Sequence, residues 1–254
     1  MAELVNMLLD LFQSETNDGT FYGIVVAIIV VLLSLAVFII RRSGRSKRQG
    51  ILLLGICEAG KTLIYLQLLY KDFMTTYTSI DVNSGEFSLN ETKKKVRIID
   101  LPGNDRLRGQ FLEEYKGTAR GIVFVINSAT LQREIKEVAE FLYTILSDRV
   151  ISSNSPPVLI LCNKQDLTSS KSAALIRSQL EKEMTTLRIT RSAALKGVGD
   201  TANNNAFLGK RDKDFDFSDL KPIKVEFAEC SAQGKNKEDL PDLQQLYAWL
   251  NKVA

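Results

Sequence analysis

Histidine is absent from all 254 residues, which excludes imidazole general bases, histidine-dependent triads and histidine metal sites together. Cysteine is scarce: Cys57, Cys162 and Cys230 are far apart and odd in number. They form no zinc or redox spacing, and a reducing cytosolic setting suits them. Each lies just after or inside an apolar strand-like run, so all three are expected as packed free thiols. Basic residues are missing from 1–40, which carry Glu3, Asp10, Glu15 and Asp18. Residues 41–48 then hold Arg41, Arg42, Arg45, Lys47 and Arg48 without an acid. Setting both stretches aside leaves residues 49–254 nearly neutral, so no direct nucleic-acid partner is expected. There is no internal repeat and no low-complexity tract.

Charge is also missing from Phe21 to Ile40, twenty residues whose only non-apolar members are Gly23 and Ser34. At about 1.5 Å per residue this run spans a hydrocarbon core of about 30 Å. A cleaved signal peptide would need a basic leading segment and a small-residue cleavage site. Here the leading segment is acidic and Arg41-Arg42 follows at once. The expectation is one transmembrane helix over 21–40, a lumenal segment over 1–20 and a basic cytosolic linker over 41–49. The basic flank on the C-terminal side orients the rest of the chain to the cytosol. Two readings of the linker stand: contact with anionic headgroups, at roughly 1 kcal/mol per basic residue, or a solvated flank.

What is present is organised around Gly55-Ile56-Cys57-Glu58-Ala59-Gly60-Lys61-Thr62, which fits G-x-x-x-x-G-K-[ST] at every fixed position. The apolar run Ile51–Leu54 before it reads as a buried strand, and Leu63, Leu66, Leu68 and Leu69 after it read as a helix. Strand, glycine loop and helix is the context in which backbone N–H groups and a helix N-terminus cradle phosphate. Gly55, Cys57, Glu58, Ala59, Gly60, Lys61, Thr62 and Leu63 are the candidate phosphate contacts. Lys61 would reach the β- and γ-phosphates, and the Thr62 hydroxyl would ligate Mg²⁺. Glu58 would be repelled by phosphate, so its side chain is expected to point outward.

The remainder alternates strand-like and helix-like segments in the manner of an α/β fold with a mostly parallel sheet. Strands are expected near 85–89, 95–99, 121–126, 157–162 and 223–230. Helices are expected within 104–118 and over 131–146, 170–184 and 239–253. The stretch 185–220 breaks the rhythm, and an insertion or long loop is placed at about 186–221.

Four further elements follow in a meaningful order. Asp100-Leu101-Pro102-Gly103 ends a strand: Asp100 can hold Mg²⁺ through water, and Gly103 can bring its N–H against a γ-phosphate. In Asn163-Lys164-Gln165-Asp166, the Asp166 carboxylate can accept both N–H groups on the guanine edge, a pair of donors adenine lacks. Lys164 would lie along the base, and Asn163 would tie this loop to the phosphate loop. In Cys230-Ser231-Ala232, the Ala232 N–H could donate to the guanine oxygen, with Ser231 beside it. Finally, a hydroxyl of the threonine-rich loop, Thr78 with Thr75, Thr76 and Ser79 as rivals, could complete the Mg²⁺ shell in the presence of a γ-phosphate.

These residues carry a resemblance. The cytosolic part resembles the Ras-like P-loop GTPases, nearest to the Arf/Sar branch through Asn163-Lys164-Gln165-Asp166. Within that branch it is similar to the beta subunits of the signal recognition particle receptor. The closer match rests on the N-terminal apolar run, the phosphate loop, Asp100–Tyr115, Ile122–Tyr143 and Leu180–Ala193. The resemblance implies a single-pass protein of the endoplasmic reticulum membrane whose GTPase domain, 50–254, binds GTP and Mg²⁺. It implies a receptor alpha subunit docked on the GTP-loaded switch regions to serve co-translational targeting, with the translocation channel or ribosome as further candidate contacts.

One position departs from many relatives. Where a glutamine orients the attacking water, this chain has Asn104, one methylene shorter. Asn104 is the candidate water-positioning residue, and slow intrinsic hydrolysis is expected. Alternatives remain: a structural anchor that binds GTP without cycling, an Arf/Sar-like coat-recruiting GTPase, and a phosphate-loop ATPase or kinase. The apolar run at 21–40 argues against the coat-recruiting reading, and Asp166 and Ala232 argue against the ATPase or kinase.

Overall fold

The computed structural model describes residues 24, 26–36, 50–71, 75–89, 94–197, 207–234 and 240–254, without the side chains of 192–197. The chain divides into two compact units, Met1–Lys47 and Arg48–Ala254. In the first, 26–36 is helical and its aliphatic side chains, Val30, Val31 and Leu33 among them, are exposed. Among the described residues no helix is long and apolar enough to cross a membrane. The expected lumenal segment, the basic linker and both ends of the expected span lie outside the described residues.

The second unit is built on a six-stranded sheet. Its strands are β1 (Gly50–Leu54), β2 (Asn83–Ser88), β3 (Lys95–Asp100), β4 (Ala119–Asn127), β5 (Val158–Asn163) and β6 (Val225–Glu229). Their order across the sheet is β2-β3-β1-β4-β5-β6. Among the described strands the β2–β3 pair is antiparallel, while β1 lies parallel to β3 and β4, and β5 parallel to β4 and β6. The helices are α1 (Lys61–Tyr70), α2 (Asp105–Tyr115), α3 (Leu131–Ser147), α4 (Arg149–Asn154), α5 (Ala173–Gly197) and α6 (Gln244–Val253).

The unbroken apolar runs follow from burial on both faces of this sheet. Alternate residues of a strand point to opposite faces. Leu52, Leu54, Ile122, Phe124 and Ile126 enter the cluster shared with α2, α3, α4 and α5. Ile51, Leu53, Val123 and Val125 enter the one shared with α1 and α6. Phe124 is fully buried, and a side chain of that size gains about 1.5–3 kcal/mol on leaving water.

The expected long loop at 186–221 is a different object. α5 continues to Gly197, well beyond the expected end at Met184. Phe215, Phe217 and Leu220 are buried against the first cluster, and Phe217–Asp219 forms a short 3-10 turn. At the other end of the unit, α6 begins at Gln244 rather than 239. α4 went unread because its one buried residue, Ile151, gives no helical pattern.

Candidate nucleotide site

The parallel strands β1, β3 and β5 deliver three loops to their C-terminal edge, the usual ligand position in open α/β sheets. Between them lies a cavity of about 470 Å³ lined by Gly60, Lys61, Thr62, Ser79, Gly103 and Lys164, with Cys57, Glu58, Leu63, Thr76, Tyr77, Thr78 and Leu101. That volume suits a small molecule.

Glycine is required at the tight points of the loop. Gly55 has φ 142°, and a Cβ there would lie 2.3 Å from the Val125 carbonyl oxygen. Gly60 has φ 92°, and its Cβ would meet Asn163 Nδ2 at 2.3 Å. Gly60 precedes α1 and no side chain caps that helix, so its leading N–H groups face the loop cradle. Glu58 adopts φ 60° and is exposed, as the electrostatic argument required. Cys57 departs from expectation: it is partly exposed and lines the cavity, while its backbone nitrogen is what packs against Gly103. Cys162 and Cys230 are buried, and desolvation pushes the Cys162 thiol up to about 12.

Lys61 is buried and its Nζ donates to the Ile56 carbonyl at 2.8 Å. Burial lowers its pKa, against the opposing pull of Asp100 and Cys57. Gly103 sits against the same group, for a Cβ there would lie 2.5 Å from Lys61 Nζ and 2.8 Å from the Cys57 nitrogen. Any side chain would separate the β3 turn from the phosphate loop.

Three oxygen-bearing side chains converge beside Lys61. Thr62 Oγ1 donates to Asp100 Oδ2 at 2.8 Å and lies 2.9 Å from Ser79 Oγ. Asn83, which the sequence did not flag, donates to the same Asp100 oxygen at 3.2 Å. Asp100 is fully buried; burial raises its pKa, while the Thr62 and Asn83 hydrogen bonds lower it. Its second oxygen, Oδ1, is buried without a hydrogen-bond partner. Two hydroxyls and a carboxylate with an unused oxygen are hard donors that fit Mg²⁺. No group of three or more His, Cys, Asp or Glu residues able to hold a metal exists among the described residues. Of the rival hydroxyls, Ser79 makes this contact, while Thr76 and Thr78 line the cavity.

The third loop is tied to the first. Asn163 Nδ2 donates to the Ala59 carbonyl at 2.9 Å. Its Oδ1 accepts the Ala232 N–H at 3.1 Å, so the donor expected to face a guanine oxygen is turned onto Asn163. Ser231 Oγ donates to Asp166 Oδ1 at 2.6 Å and accepts the Gly234 N–H at 3.0 Å, which fixes the carboxylate. Gln165 Nε2 reaches Ser128 Oγ at 3.1 Å and the Lys171 carbonyl at 2.9 Å. The expected water-positioning residue is differently employed: Asn104 Oδ1 accepts the Arg106 N–H at 3.0 Å and caps α2.

Comparison with known proteins identifies the family. The sequence profile of the signal recognition particle receptor beta subunit matches residues 46–225. The human signal recognition particle receptor subunit beta is 46% identical over 244 residues, 95% of this chain and 90% of that one. This chain belongs to the signal recognition particle receptor beta subunit family. Two solved structures carry the same fold. A chain of the mammalian SRP receptor superposes with TM-score 0.70 at 45% identity, covering 81% of this chain and all of that one. The Chaetomium thermophilum receptor SRb in complex with GDP superposes with TM-score 0.61 at 25% identity, covering 81% of this chain and 97% of that one. In this member of the family the loop Gly55–Thr62, the oxygen cluster at Asp100 and the loop Asn163–Asp166 stand at three strand ends of one sheet.

Proposed function

We propose that this chain is a membrane-tethered GTP-binding switch that docks the alpha subunit of the receptor at the cytosolic face of the endoplasmic reticulum. The observation that carries the reading is the convergence of Ser79, Thr62 and Asp100. It joins the loop at 75–82, the phosphate loop and the end of β3 at one point. With Mg²⁺ and a triphosphate bound, Thr62 and Ser79 would hold the ion, with Asp100 behind it. Lys61 would leave the Ile56 carbonyl for phosphate oxygen, and the Gly103 N–H would face the outer phosphate. Asp166, fixed by Ser231, would select guanine. A diphosphate leaves Gly103 without that partner and the ion at Ser79 without the outer phosphate, which makes the exposed Tyr77 and Ile80 of the Ser79 loop nucleotide-dependent surface.

Support for the remaining parts comes from family membership and from the sequence. The relatives are named as one subunit of a receptor, and the Chaetomium thermophilum relative was solved with GDP. The uncharged run at 21–40, followed by five basic residues, fits a single span with its C-terminal side cytosolic. The alternative of an anchor that holds GTP without cycling is favoured by the engagement of Asn104 as a helix cap.

The test is a competition assay on the full chain in detergent, followed by capture of the amino-terminal domain of the alpha subunit. GTP should bind at least about 100-fold tighter than ATP, and Asp166→Ala should remove about that factor, the worth of two hydrogen bonds to a charged group. Capture should require GTP. Equal affinity for ATP, or equal capture by the nucleotide-stripped chain, would sink the reading.

A further inference from the structure

Asn104 stands directly after Gly103, where a carboxamide could orient a water toward a triphosphate. That carboxamide already has a task. The residue has extended backbone, φ −62° and ψ 132°, immediately before α2. Its Oδ1 accepts the Arg106 N–H at 3.0 Å, and its carbonyl accepts the N–H groups of Leu107 at 3.0 Å and Arg108 at 2.8 Å. Such a cap is worth about 1 kcal/mol to a helix, and Asp105 in the first turn adds favourable charge.

The same turn is held from its far side. Arg108, largely buried, pairs with Asp105 at 2.5 Å and with Glu137 of α3 at 2.6 Å. Its guanidinium lies 4.8 Å over the Phe141 ring. Cap and arginine both favour the first turn of α2 as it stands. A carboxamide that turned toward the cavity would leave the Arg106 N–H without its acceptor, and would still be one methylene shorter than glutamine. Among the residues lining the cavity the single carboxylate is Glu58, whose side chain is exposed.

We propose that Asn104 is a positioning residue that fixes where α2 begins, and that its commitment as a cap is what leaves the site without a water-orienting side chain. The triphosphate then persists as a structural ligand that holds the docking surface. This rests on the GTP reading above.

Four variants of the full chain in detergent separate cap from carboxamide. Asn104→Ser and Asn104→Asp keep a capping oxygen without the carboxamide, Asn104→Ala removes both, and Asn104→Gln keeps the carboxamide but caps poorly. Hydrogen exchange at the Arg106 amide, measured without nucleotide, should stay protected in Ser and Asp. It should run about fivefold faster in Ala and Gln, the factor equivalent to one cap. Single-turnover GTP hydrolysis should rise about tenfold in Gln, whose longer carboxamide is free of the helix. The proposal is overturned if Ala leaves Arg106 exchange unchanged, if Gln hydrolyses no faster than the unaltered chain, or if Ser, Asp and Ala all lose hydrolysis at least tenfold at unchanged GTP affinity. No measurable GTP binding by the unaltered chain would instead remove the GTP reading, and the exchange measurement would still decide the role of the cap.

Discussion

At Ser79 a loop hydroxyl meets the phosphate-loop hydroxyl of Thr62 at 2.9 Å, with Asp100 behind them. The sequence reading prefers Thr78 over Thr75, Thr76 and Ser79, and the contact falls to Ser79 instead, because four hydroxyls in a stretch without apolar period carry no information about which one points inward. Asp100, Lys61 and Asp166 were legible for the opposite reason. Each is fixed by spacing to a strand end whose burial the apolar pattern reveals. Asn83 was illegible, since it acts across the antiparallel β2–β3 pair, where it stands opposite Asp100. The Ser79 placement has a measurable consequence. Ser79→Ala should reduce the gain in GTP affinity on adding Mg²⁺ by about tenfold, one hydrogen-bonding or ligating group of about 1.4 kcal/mol. GDP affinity should change less than about threefold. Titrations with and without EDTA check this, and an equal loss for both nucleotides would assign Ser79 to the loop's folding instead.

Elements were read well where two-sided burial left a continuous apolar run, and poorly where polar chemistry stabilises a helix. β1, β4 and β5 are of the first kind, and their buried residues alternate between the two clusters. The second half of α5 is of the second kind. Thr185, Thr186 and Thr190 are weak helix formers, and their hydroxyls are merely satisfied on carbonyls four residues earlier, Glu181, Lys182 and Thr186 respectively, so this half of the helix rests on its packing. Beyond Met184 the buried face is continued by Leu187 and by an arginine, which a hydrophobic pattern does not count. Arg188 donates to the carbonyls of Leu208 at 3.2 Å, Lys210 at 2.8 Å and Lys213 at 2.7 Å, and lies 4.9 Å over the Phe207 ring. One planar guanidinium thus gathers a segment that has few apolar residues of its own. Arg188→Ala should cost about 3 kcal/mol by removing a buried guanidinium and its three hydrogen bonds to carbonyls, read as a lower urea midpoint together with earlier proteolysis within 207–213. Arg188→Lys should recover less than half of that, since an ammonium cannot reproduce the fork that spans three carbonyls. Full recovery by lysine would show that charge alone holds the segment.

For the molecule as a whole, every group assigned to nucleotide lies in the unit Arg48–Ala254, so attachment to a bilayer and nucleotide recognition should be separable. The uncharged run at 21–40 carries no residue of the site, and the aliphatic side chains described within it, such as Val31 and Leu33, are exposed. Twenty such residues are worth far more in hydrocarbon than the roughly 1 kcal/mol that each residue of the basic segment 41–48 gains from anionic lipid. The run, and not the charge, should therefore decide retention. Reconstituted into vesicles, the full chain should float with lipid through an alkaline wash. A chain lacking 21–40 should stay in solution with GTP affinity within about threefold of the full chain, a difference of less than 1 kcal/mol. Replacing the five basic residues of 41–48 by glutamine should leave retention intact but mix the orientation, read by protease added outside microsomes. Release of the full chain by the alkaline wash would reduce the run to a peripheral contact, and loss of GTP binding on its removal would mean that the two units share the site.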